Sequence, residues 1–177
     1  MRQGVILIDT LVNLLKDPGD GALRDIYYLA RTIPFQDPAF KCYKKTFDQL
    51  RSSGTLRLIR NKVTLDSMAG YYQSIEWMEQ GPSAMQFEHR HDLYLNLAKL
   101  FDMFIFQEMM HSPNALEPVL PPGIPKLVTT DKIVINDVVA RYHFMYSTKK
   151  VLIKEWTERS KQALLLIKKL QAEYGYD

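Results

Sequence analysis

The chain has one cysteine, Cys42, in 177 residues. A lone thiol excludes an internal disulfide and any metal site built from several cysteines. Long apolar runs are missing too. No stretch reaches the roughly 18 uncharged apolar residues that a bilayer span requires. Val5–Leu15 is the nearest, and Asp9 and Asn13 interrupt it with no small-residue cleavage site after it, so it does not read as a signal peptide. An excess of one charge is also lacking. With 23 Lys and Arg against 20 Asp and Glu the net charge is +3. That is too mild for a nucleic-acid-binding surface, and the aromatics Phe40, Tyr43 and Phe47 fall at core spacing instead of interleaving with the cations. No internal repeat, low-complexity tract or series of strands is present.

Helical periodicity is abundant. Val5, Ile8, Leu11, Val12 and Leu15 predict an amphipathic helix that stops at Asp17-Pro18-Gly19. Leu23, Ile26, Tyr27, Ala30 and Ile33 predict a second, closed before Pro34. Asp37-Pro38 reads as a helix start, with Phe40, Tyr43, Phe47 and Leu50 as the buried stripe. Gly81-Pro82-Ser83 predicts a break, followed by a long helix over about residues 83–110. On that helix Phe87, His91, Tyr94, Ala98, Phe101 and Ile105 form one stripe, and Leu93, Leu97, Leu100 and Phe104 an adjoining one. Five prolines and a glycine between Ser112 and Thr130 predict an irregular connection, packed along the surface by Leu116, Val119, Leu120 and Ile124. From about residue 131 to 174, Val138, Tyr142, Met145, Lys149, Leu152, Trp156, Ala163, Ile167 and Leu170 predict one long helix, or two joined near Ser147-Thr148. The fold class is all-α: a bundle of about six helices in a single domain over 1–177, with a helical core at about 37–110.

The most specified stretch is Thr46–Gln80. Ser52-Ser53-Gly54 can stop one helix, because glycine adopts the left-handed conformation that follows a last turn. Leu56 and Leu58 alternate with Arg57 too briefly to make a strand. Asn61 or Thr64 can cap the next helix, in which Leu65, Met68, Ala69, Tyr72, Ile75 and Met78 or Glu79 fall at helical spacing. Leu50–Asn61, followed by Tyr71-Tyr72, resembles the core motif of an uncharacterised family of single-pass membrane-anchored proteins of Bacteroidetes-type bacteria. The resemblance covers roughly residues 47–72. It implies a helical domain on the extracytoplasmic, periplasmic side of the inner membrane, tethered by a span that these residues do not contain. It brings no assigned activity and no functional residues.

Candidate chemistry is sparse. His89 and His91, two apart on a helix, point about 200° away from each other and cannot chelate one ion. His91 falls in a core stripe, which suggests a hydrogen-bonded interior histidine, and His111 and His143 have no partner at ligand spacing. Asp17–Gly21 lacks the alternating acids of a calcium loop and a strand before it. Ser52-Ser53 lacks a nucleophile elbow. Cys42 lies near Lys41, Lys44 and Lys45, which can lower a thiol pKa, but no resolving cysteine exists. No catalytic, cofactor or metal set emerges, and the chain reads as non-enzymatic.

Charge is unevenly spread. Residues 37–62 hold seven basic side chains against two acidic, and residues 76–108 hold six acidic against two basic. These are either solvated faces that pair with each other or a basic corner built to meet something anionic. Arg51, Arg57, Arg60 and Lys62 are the candidate recognition surface. The leading expectation is an interaction or scaffold module that holds a protein partner or forms a homo-oligomer. The alternative is a ligand-sensing bundle that takes a small anion near this corner.

Overall fold

Apolar residues spaced three and four apart close into helices along nearly all of the chain that the computed structural model describes: residues 2–36, 42–111 and 117–175. Among these residues there is no strand. Seven α-helices run in the order α1 (Arg2–Lys16), α2 (Leu23–Thr32), α3 (Lys45–Ser52), α4 (Lys62–Met78), α5 (Ala84–Leu97), α6 (Met103–Glu108) and α7 (Lys132–Tyr174). The all-α class and the long C-terminal helix are as the periodicity implies, and α7 continues unbroken through Ser147-Thr148. The chain divides into two compact units, Met1–Pro38 with Met85–Lys150, and Ala39–Ala84 with Val151–Asp177.

The first unit has a continuous hydrophobic core. Ile8, Leu11 and Leu15 of α1 meet Ile26, Tyr27 and Ala30 of α2, Leu93 and Leu97 of α5, Phe106 of α6, and Val138, Tyr142 and Met145 of α7. Each such side chain is worth roughly 1.5–3 kcal/mol of burial. Two tyrosines carry their hydroxyls into this core and satisfy them there. The Tyr142 hydroxyl donates to the Ala30 carbonyl at 3.0 Å, and burial pushes its pKa up. The Tyr27 hydroxyl donates to the Lys126 carbonyl at 2.7 Å and accepts from the Asp102 amide at 2.9 Å. Its ring meets Phe101 and Phe106 edge-on, with centroids 5.1 and 5.6 Å away.

The proline-rich connection is held by its backbone. Arg24 Nε donates to the Pro121 carbonyl at 3.1 Å, the Val128 amide to Leu100 at 2.9 Å, and the Val119 amide to Met109 at 2.8 Å. Pro121 and Pro125 are buried, whereas Val119, Leu120 and Ile124, expected to anchor it, are exposed. Leu116 lies outside the described residues.

In the second unit Phe47 of α3 stacks on Tyr72 of α4, with centroids 4.0 Å apart and planes 12° from parallel. Asn61 caps α4: its side-chain oxygen accepts from the amides of Val63 at 3.0 Å and Thr64 at 3.3 Å. Its Nδ2 donates at 3.1 Å to Glu173 near the end of α7, and the buried Thr64 hydroxyl donates to the same carboxylate oxygen.

Several sequence expectations are corrected. Gly81-Pro82-Ser83 does not break the chain: α4 passes into α5 through a π-helical turn at Glu79–Ser83. A widened turn accommodates a residue that has no N–H and whose ring clashes with the carbonyl one α-turn back. The expected helix over 83–110 is interrupted after Leu97 and restarts at Met103, where the Asp102 carboxylate accepts from the Phe104 amide at 2.9 Å. Of its two stripes, Leu93, Leu97 and Leu100 are the buried one, with Phe104 exposed. In the other only Phe101 is fully buried, and Phe87, His91, Tyr94 and Ala98 are exposed. The helix expected from Asp37 begins at Lys45 among the described residues, so Tyr43 lies ahead of it and is 97% exposed. Asp37, Pro38 and Phe40 lie outside the described residues.

Gly54 has φ +71° and sits where α3 stops. No atom lies within 4 Å of where its Cβ would be, so a substitution there costs backbone strain and not collision. Gly54→Val is expected to lower the unfolding free energy by about 1–3 kcal/mol, read by urea denaturation. A midpoint equal to the parent's would contradict this reading of the turn.

Candidate functional site

The basic corner lies between α3 and α4. After Gly54 the segment Thr55–Leu58 coils into a 3₁₀ turn rather than an extended run, and residues 59–61 lie outside any helix before α4, with Ile59 and Asn61 extended. Two-residue alternation therefore does not apply. Leu58 is 71% exposed, and Val63 at the start of α4 is 66% exposed. Both follow a cation directly in the chain, Leu58 after Arg57 and Val63 after Lys62.

The four candidate residues divide into two groups. Arg51 ends α3 and is tied within the unit, 3.1 Å from Asp48 and 4.0 Å from Glu76. Lys44, just before α3, adds to this cluster, 2.7 Å from Glu79 and 3.9 Å from Glu76. The Glu79 carboxylate, hydrogen-bonded to it, holds the Lys44 ammonium above its ordinary pKa. Arg57, Arg60 and Lys62 are exposed and form no ion pair with any described residue. The first acids of the acidic segment thus neutralise the early part of the basic one and leave the corner's own three cations to solvent.

Cys42 lies beside this cluster, and its amide donates to Glu79 at 3.0 Å. Its thiol is not activated. Burial, then the Glu79 charge, push its pKa up, and Lys44 only partly opposes them. The interior histidine is not the one expected. His91 is exposed, and His89 is the one that turns inward, with Nδ1 3.0 Å from the Thr148 hydroxyl. No group of three metal-ligating side chains forms among the described residues, and none of the described helices is long and apolar enough to cross a membrane.

A second site, in the first unit, escaped sequence reading. A cavity of about 610 Å³ opens beside the C-terminal end of α2, lined by Tyr28, Arg31, Thr32, Phe35, Gln36, Met110, Glu117 and Pro118. The Arg31 guanidinium stacks over Phe35 at 4.7 Å. Its Nε and Nη1, and the Thr32 hydroxyl, are buried without a hydrogen-bond partner among the described residues. Arg31 follows Ala30 on a helix whose apolar face is otherwise regular, so the sequence signals only a surface cation there. No family model, curated protein or solved structure matches the chain.

Proposed function

We propose that this protein is a non-enzymatic helical interaction module that engages an acidic protein surface through the corner at Arg57, Arg60 and Lys62. One observation carries the reading: three exposed cations that pair with no described residue lie close along the chain to the exposed apolar side chains Leu58 and Val63. Cations that merely served the fold would face carboxylates, as Arg51 and Lys44 do. An apolar patch rimmed by like charge suits a protein partner, which supplies both a hydrophobic contact and opposite charge. A small anion at the same corner is the weaker reading, because Arg51, which would have to converge on it, is already held by Asp48 and Glu76. A homo-oligomer is a form of the same proposal, with a second copy as partner. That the module stands outside the cytoplasmic membrane, tethered by a span elsewhere in the protein, is supported by the Leu50–Asn61 resemblance alone.

Replacing Arg57 and Arg60 together by glutamine tests this. Both are exposed, so the melting temperature should stay within about 2 °C of the parent's, in keeping with surface substitutions. Capture of the partner from the native host, or self-association in light scattering, should weaken, and the parent's binding should fall as salt is added. Lower thermal stability with undiminished capture would mean that the corner serves the fold, and would overturn the proposal.

A further inference from the structure

The cavity beside α2 makes a demand that the described residues do not meet. Two nitrogens of Arg31 and the hydroxyl of Thr32 are out of water and make no hydrogen bond to any described residue. The Phe35 ring covers one side of the guanidinium at 4.7 Å and restricts where its edge can point. Buried polar groups in native proteins are overwhelmingly hydrogen-bonded, and a planar guanidinium is the side chain best matched to a carboxylate. The cavity, at about 610 Å³, is of small-ligand size, and Phe35, Met110 and Pro118 give it apolar walls.

Glu117 narrows the ligand class. It lines the same cavity, yet it makes no ion pair with Arg31. A simple anion would meet its repulsion and a simple cation would meet that of Arg31. A molecule with both charges and an apolar body satisfies both ends. We infer that this cavity binds a free apolar α-amino acid, with its carboxylate on Arg31 and Thr32 and its ammonium toward Glu117. This site lies in the first unit and shares no residue with the corner in the second.

The test is calorimetric titration of the full chain with L-leucine, leucinamide and N-acetyl-leucine, which keep both charges, only the positive and only the negative. L-leucine should bind saturably, with each analogue weaker by about tenfold or more, the scale of one lost charged contact. Arg31→Met should abolish L-leucine binding. Glu117→Gln, at an exposed position, should bring L-leucine and N-acetyl-leucine to similar affinity, and it keeps the test decisive if the arginine variant does not fold. No saturable binding of L-leucine or of other apolar amino acids, equal binding of all three probes by the parent, or a Glu117→Gln protein that discriminates as the parent does would overturn the assignment.

Discussion

Replacing Tyr27 by phenylalanine is expected to destabilise the first unit by more than the loss of one hydroxyl suggests. The oxygen ties together two segments that otherwise meet through the bond from the Val128 amide to Leu100: it donates to Lys126 at 2.7 Å and accepts from Asp102 at 2.9 Å. Phenylalanine would keep the ring contacts with Phe101 and Phe106 and leave both a carbonyl and an amide without a partner. Each orphaned group costs about 1–3 kcal/mol, so the sum is a large fraction of an ordinary domain's stability. Tyr28→Phe on the same helix serves as the control, since that residue is only partly buried. Urea denaturation of the two variants should separate them by at least about 1 kcal/mol, the lower bound for one orphaned group. Equal midpoints would mean that Tyr27 contributes its ring alone.

The second large effect concerns Lys149, which is fully buried on α7. Gly4 leaves room for its ammonium: a Cβ there would lie 3.1 Å from Nζ. Burial pushes the Lys149 pKa from 10.5 down to about 8. Because the folded-state value lies below the unfolded one, the folded state binds fewer protons between about 8 and 10.5, and stability rises with pH across that window. Below about 8 the desolvation cost is present in full. Lys149→Met is therefore expected to stabilise the protein near neutral pH, by roughly 1–3 kcal/mol from a shift of this size. The polar interaction that Lys149 makes is lost in the variant, which keeps the gain below the full value. The advantage should shrink as pH approaches 10.5. A variant less stable than the parent at every pH would show that the ammonium's interactions outweigh its burial.

How far the sequence reveals this molecule depends on which signals are local. The buried faces of α1 and α2 are legible because Ile8, Leu11, Leu15, Ile26, Tyr27 and Ala30 repeat at helical spacing and no neighbour competes for them. The stop at Gly54 and the cap at Asn61 are legible because each is a single residue acting on adjacent backbone. The π turn at Pro82 is not, since proline signals a break unless the helix on both sides is held by other contacts. His89 and His91 could not be told apart by periodicity either, because two wide apolar stripes left the helix's true inner face undecided. Pairs such as Asn61 with Glu173 depend on the course of the chain and leave no local trace. The corner's cations were visible as composition. Their division into Arg51, which is paired, and Arg57, Arg60 and Lys62, which pair with no described residue, required the turn geometry.

The most direct test of the central claim is a contact measured at the corner itself. A photoreactive residue in place of Leu58, which is 71% exposed between the cations, probes that surface without disturbing a buried side chain. On illumination in the native host it should give a discrete adduct with an acidic protein or with a second copy of this chain. The adduct should fade as salt rises and should be absent when Arg57 and Arg60 are glutamine. No adduct at Leu58, or one that is indifferent to both salt and the two arginines, would contradict the assignment of this corner as the interaction surface.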